Sequence, residues 1–309
     1  MGVTELSEIM MKLLKSSVAP SSLQLYKRAW ALMRETFSYI NQNSNLQIML
    51  PLSVSSMSFY VAYLHRENYA PSSIVSYVSA IGYIHRISGF KDPTTTVIIQ
   101  KLIAGSTRLG PRFDLRLPIT IILLDQLSQS ADKVISCYYH RILLKAMFCV
   151  AFFGLMRLGE LTVSQHGQVL LQLQQLTMSN DKAIVNISHF KHNKSLKPVD
   201  IPMEKQDSEN VCPVFNLAKY LQVRGYKPGP LFCFPQEKPV SRRFFVSKLK
   251  FLLKFCGLDV SRYRSHSFRI GGASYYADLG CTDSQIRRLG RWNGNSFIDY
   301  IRAHRLVSK

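Results

Sequence analysis

The stretch from Gly105 to Pro118 constrains this chain most. Gly105, Gly110, Pro111 and Pro118 stand close together there, and no long helix or strand continues through such a density of breakers. The same stretch carries Arg108, Arg112 and Arg116 at four-residue intervals. It divides 309 residues into two parts, each large enough to bury a core of its own. The expected organisation is therefore a helical unit at 1–104, a basic linker at 105–118 and a second unit at 119–309.

The first part has helical periodicity throughout. Pro20-Ser21-Ser22 opens one helix, with Leu25, Ala29, Leu32, Met33, Thr36 and Phe37 on one stripe. Pro51 and Ser53 open a second, through Met57, Tyr60, Val61 and Leu64. Ala70-Pro71-Ser72 opens a third, through Val75, Val78, Ile81, Ile84 and Ile87, with Gly89 closing it. A short helix follows near Val97 to Ala104, and the four make a small bundle. The second part is mixed. Helices are predicted at Leu123 to Ala131, Val134 to Leu155, Val214 to Val223, Arg242 to Cys256, Phe268 to Leu279, Ser284 to Gly290 and Ser296 to Leu306. Leu173 to Met178 and Ala183 to Ser188 alternate like strands, and Val199 to Ile201 adds a third. The fold class is mainly α with one small antiparallel sheet.

Charge narrows the partners. The net charge is +20. Residues 1–110 hold 10 Lys and Arg against 5 Asp and Glu, and residues 111–309 hold 29 against 14, so both parts are positive. Such a balance favours a polyanion, and basic residues spread over long helices fit a two-part clamp better than a basic tail would. Arg108, Arg112 and Arg116 are read as contacts to a nucleic-acid backbone. The six cysteines form no CxxC pair and read as buried free thiols of a reducing compartment. Neither Cys nor His has metal-ligand spacing, so no metal site is expected. The longest apolar run, Met147 to Met156, is too short for a bilayer, and Met1 to Lys15 lacks a signal-peptide core. A soluble intracellular protein with no membrane partner is expected, nuclear if the host is eukaryotic.

The chemistry-bearing residues fall in two blocks. Phe153-Gly154-Leu155-Met156-Arg157-Leu158-Gly159-Glu160 places an arginine at the end of the apolar run. His266-Ser267-Phe268-Arg269, then Leu289-Gly290-Arg291-Trp292 and Tyr300, supply an imidazole, further guanidiniums, an indole and a phenol. Phosphoryl transfer needs a nucleophile, neutralisation of the non-bridging oxygens and a proton donor for the leaving oxygen. Guanidinium forks match phosphate geometry and stay charged, so an arginine pair can replace a metal. His266 and Arg269, three apart at a helix start, share a face. Glu160 stands one turn after Arg157, where it can orient the site. Tyr275 and Tyr276 fall inside the helix begun by Arg269 and read as packing residues.

In order, spacing and domain plan these motifs resemble the tyrosine recombinases, which include the phage integrases, over nearly the whole chain. Leu289-Gly290-Arg291-Trp292 and Arg269-Ile270-Gly271-Gly272-Ala273 resemble in particular the recombinases of DIRS, Ngaro and Crypton mobile elements. The resemblance implies a helical core-binding domain plus an α+β catalytic domain forming a C-shaped DNA clamp. It implies a site-specific recombinase, independent of metal and cofactor, acting on double-stranded DNA as a tetrameric synapse of itself. Arg157 and Arg269 would hold the non-bridging oxygens, His266 would bond the phosphate or shuttle the nucleophile's proton, and Tyr300 would be the nucleophile. Lys191, in Phe190-Lys191-His192-Asn193-Lys194, would be the general acid, with Lys194 as rival and DNA contact. Trp292 would bond to or pack against the phosphate. Its distance to Tyr300 is one residue shorter than the family's, which lets Arg291 reach the same phosphate. The competing readings are a catalytically silent domesticated DNA-binding protein and a type IB topoisomerase-like strand relaxer.

Overall fold

The computed structural model describes residues 2–41, 48–110, 116–163, 169–190 and 197–301. It divides into two compact units, residues 1–114 and 115–309. The predicted class holds: both units are mainly helical, and among the described residues the strands form one three-stranded antiparallel sheet.

In the first unit the helices are α1 (Gly2–Ser16), α2 (Pro20–Asn41), α3 (Val54–Arg66), α4 (Pro71–Ile87) and α5 (Val97–Leu109). Local chemistry sets their starts. Ser53 caps α3 by accepting the Ser56 N–H at 3.0 Å, and Pro71 sits in the first turn of α4, where no N–H partner is lost. The core is built from Ala29, Leu32 and Met33 of α2, Met57, Tyr60 and Leu64 of α3, Val78 and Ile81 of α4, and Ile99 of α5. Its polar atoms are satisfied inside: Tyr60 Oη donates to the Ala29 carbonyl at 3.0 Å, and buried His85 accepts the Leu52 N–H at 2.9 Å.

Three expectations change here. Helix α1 was not anticipated, and its Leu6, Ile9, Met10 and Leu13 are exposed. Val75 and Ile87, expected on the buried stripe of α4, are exposed. Helix α5 runs through Leu109, so residues 105–109 are helical rather than linker. A single helical glycine costs only about 1 kcal/mol, which the apolar stripe of Ile99, Leu102 and Ile103 outweighs. Arg108 is exposed in the last turn of α5, and Arg112 lies outside the described residues.

In the second unit, α6 (Ile121–Val134) and α7 (Tyr138–Phe153) precede the short α8 (Leu158–Leu161). The strands β1 (Leu176–Met178), β2 (Lys182–Ile187) and β3 (Val199–Glu204) pair in chain order. Then come α9 (Pro213–Arg224), α10 (Arg242–Phe255), α11 (Ser267–Asp278) and α12 (Asp283–Gly290). Helix α7 is the spine, buried without a break from Ile142 to Phe153. Val134 ends α6 instead of starting α7. Leu173–Gln175 forms a 3-10 turn ahead of β1. The expected last helix from Ser296 is a 3-10 turn, Asn295–Tyr300, and residues 302–309 lie outside the described residues. The cysteines are free; Cys149, Cys212 and Cys233 are buried as expected, but Cys137 is exposed. No helix among the described residues is long and apolar enough to cross a membrane.

Two adjacent glycines bring α11 against the spine. A Cβ at Gly271 would overlap the Ile119 carbonyl, and one at Gly272 would overlap the Phe152 carbonyl. Backbone therefore packs directly on backbone, and Arg269, one turn earlier, is held at fixed depth. Gly272→Ala should force α11 outward and lower unfolding stability by roughly 1–3 kcal/mol, measured by denaturant titration; an unchanged midpoint would contradict this packing.

Candidate active site

Helix α7 ends at Gly154, and Leu155 then adopts a left-handed conformation with φ of 46°. A leucine pays steric cost there, and the fully buried side chain, packed with Ala273, Ile286, Trp292 and Phe297, holds it in place. The turn points the Leu155 carbonyl at two guanidiniums: Arg269 Nη1 donates to it, and Arg291 Nη2 donates at 3.3 Å.

Arg157 caps α8. Its backbone N–H donates to Glu160 Oε2 at 2.8 Å, and its Nη1 donates to Glu160 Oε1 at 3.2 Å. The same Oε2 accepts from Arg291 Nη2 at 2.9 Å. One carboxylate thus sits between two guanidiniums. Arg291 ends α12 in a left-handed conformation with φ of 55°, and its side chain is 1 % exposed. Burial lowers its pKa, with Glu160 opposing that shift and Arg157 adding to it.

Arg269 is 1 % exposed. Its Nη2 donates to the Gly290 carbonyl, and its Cζ stands 4.0 Å over the Trp292 ring. Burial, then repulsion from Arg157 and Arg291, pushes its pKa down to about 9, so it remains a cation at neutral pH. His266 caps α11. Its pKa is lowered, first by burial and then by Arg116, Arg269, Arg157 and Arg242. Tyr300 closes the last 3-10 turn; its Oη is 3.5 Å from His266 Nδ1, and its ring centroid is 5.3 Å from that of Trp292.

These groups meet. A cavity of about 340 Å³ is lined by Arg157, His266, Arg269, Arg291, Trp292 and Tyr300, with Asn293, Gly294 and Ser296 completing the wall. Arg116 is close enough to act on His266. Lys191 and Lys194 lie outside the described residues, but the ring of Phe190, just before Lys191, is centred 5.8 Å from Arg291 Cζ. Tyr276 Oη donates to the Phe153 carbonyl at 2.8 Å and Tyr275 Oη to Gln206 at 3.0 Å, so both are packing residues. Among the described residues, no group of three or more His, Cys, Asp or Glu could hold a metal ion. Sequence reasoning missed the Leu155 and Gly290 carbonyls, because every residue carries that acceptor. Asn293 and Ser296 were also missed; only their place between Trp292 and Tyr300 could have flagged them.

No protein-family model matches the chain, and no curated protein matches its sequence. Solved structures do. A lambda integrase dimer bound to a COC′ core site is similar at a TM-score of 0.61 and 15% identity, over 95% of this chain and 75% of that one. The XerH site-specific recombinase bound to difH substrate is similar at 0.60 and 15%, over 97% and 87%. The Tn1549 transposon integrase in complex with transposon right end DNA is similar at 0.54 and 13%, over 93% and 99%. The chain has the fold of the tyrosine recombinases.

Because Glu160 is the shared partner of Arg157 and Arg291, its removal leaves buried positive charge uncompensated. Glu160→Ala should cost roughly 3–5 kcal/mol of unfolding stability, whereas the exposed Arg108→Ala should stay within about 0.5 kcal/mol. Equal denaturation midpoints for the two variants would show that Glu160 does not hold the site.

Proposed function

We propose that the chain is a DNA recombinase that cleaves and rejoins duplex DNA through a 3′-phosphotyrosyl intermediate. The observation that carries this reading is the meeting of Tyr300, His266, Arg157 and Arg269 around one cavity. Tyr300 Oη attacks the phosphorus and its proton passes to His266 Nδ1, which burial and neighbouring cations keep unprotonated at neutral pH. The bond from phosphorus to the 5′ oxygen breaks, and that oxygen takes a proton from Lys191 or, failing that, Lys194. Arg157 and Arg269 neutralise the non-bridging oxygens as charge builds in the transition state. A 5′ hydroxyl of a second strand then attacks the phosphotyrosine and releases the phenol. The number of phosphodiester bonds is conserved, so no nucleotide cofactor is required.

Trp292 acts here by backing the Arg269 guanidinium, which its ring covers. Arg291 acts by holding Glu160, and through it Arg157. Arg108, Arg112 and Arg116 are taken as backbone contacts, in keeping with positive charge in both parts of the chain. The similar lambda integrase is known as a tetramer bound to a Holliday junction, which supports a synapse of four copies for this chain. The finer likeness to DIRS, Ngaro and Crypton recombinases rests on the motifs around Gly271 and Arg291 alone.

Tyr300→Phe should bind duplex DNA selected from a random pool yet form no covalent adduct on a nicked suicide form of it. An adduct in that variant would reject Tyr300 as nucleophile, and none in the native chain would favour the silent binder.

His266 gives a pH signature. Its ordinary value is 6.5 and its folded value is lower. Adduct formation should hold steady as pH falls through 6.5 and drop only at the depressed folded pKa. His266→Asn should be slower and lack that acid limb. The same shift makes the unfolded chain take up the proton first, so stability should fall as pH drops from about 6.5 to the folded pKa and level off below it. An acid limb that persists in His266→Asn would assign the proton to another group.

A further inference from the structure

A second groove, of about 290 Å³, adjoins the cavity and shares Arg291, Trp292 and Asn293 with it. Its other walls are Phe190 and Val199, flanking the β2–β3 connection, and Ser284, Arg287 and Arg288 on α12. Nothing in the chemistry assigned above uses α12's outer face. That helix carries Arg287 and Arg288 in its last turn and Asp283 in its first, and neither arginine is paired with a carboxylate among the described residues.

The two arginines differ. Arg287 is braced, with Nη2 donating to Asn295 Oδ1 at 3.2 Å and Cζ 5.3 Å over the Phe297 ring. Arg288 is exposed and makes no side-chain hydrogen bond or ion pair among the described residues. Arg291 lines both groove and cavity, and its buried Nε has no hydrogen-bond partner among the described residues.

We propose that this groove binds a second DNA backbone phosphate, neighbouring the one held in the active cavity. The inference rests on duplex DNA being the substrate. A phosphodiester backbone repeats its anion at short intervals, so a strand seated in one cavity necessarily offers another to an adjoining one. Guanidiniums with a hydroxyl and an amide beside them suit a phosphate's several acceptor oxygens. An acidic segment of a second protein copy is the competing occupant. The shared wall favours phosphate, because one continuous strand fills both spaces.

The test uses the full chain and a duplex selected from a random pool for binding to it. Arg288→Ala should weaken binding and reduce the slope of log affinity against log salt by about 0.9, the loss of one phosphate contact. Single methylphosphonates, which remove one phosphate charge each, are then placed around the cleavage position. One non-scissile position should reproduce the slope change in the native chain and have no further effect in Arg288→Ala. A native slope in Arg288→Ala, or losses that add at every position, would overturn the proposal. So would a variant that changes only self-association, measured by sedimentation, since that marks the groove as a protein contact. Arg288 is exposed, so its truncation should leave stability within about 0.5 kcal/mol. Adduct formation on the suicide duplex is scored separately. Coupling without an adduct refutes the recombinase reading and leaves the groove standing; an adduct without coupling does the reverse.

Discussion

Three guanidiniums of like charge, those of Arg157, Arg269 and Arg291, stand around one small space, and Glu160 is the carboxylate that bonds two of them. Everything else in the second unit follows from making that arrangement tolerable. Among the described residues Arg269 is paired with no carboxylate; it meets the carbonyls of Leu155 and Gly290 and the face of Trp292. Those acceptors exist only because the chain turns sharply at the end of α7 and again at the end of α12, where Leu155 and Arg291 both adopt left-handed conformations. The strain at each turn is offset by burial of the residues around it.

The glycines of α11 serve the same end from below. Gly271 and Gly272 let the helix approach the carbonyls of Ile119 and Phe152, which sinks Arg269 far enough to meet Leu155. The buried spine of α7 fixes the other side. Core packing and site geometry are therefore one problem in this unit.

Much of this was legible in the sequence. Helical stripes such as Leu32, Met57 and Ile81 mark the core because burial and periodicity coincide there. Arg157, His266, Arg269 and Tyr300, singled out in the sequence as candidates because few side chains suit phosphoryl chemistry, line one cavity. What escaped was set by tertiary context. Gly105 disfavours a helix on propensity, by only about 1 kcal/mol, and α5 runs past it to Leu109. Val75 has the right spacing for the stripe but stands exposed. Asn295 to Tyr300 has helical composition, but closes as a 3-10 turn packed on α11, with Ser274 Oγ donating to the Tyr300 carbonyl at 3.2 Å. Backbone carbonyls at the site leave no mark in the sequence at all.

The double anchoring of Arg269 has a consequence for inheritance. Its guanidinium is held on both sides by backbone carbonyls, so a side chain that carries about 2 kcal/mol of rotamer freedom is already ordered within the fold. The same anchoring makes this arginine a structural member as well as a wall of the cavity. A lineage that loses it leaves two buried carbonyls without their donor, and the damage falls first on protein abundance.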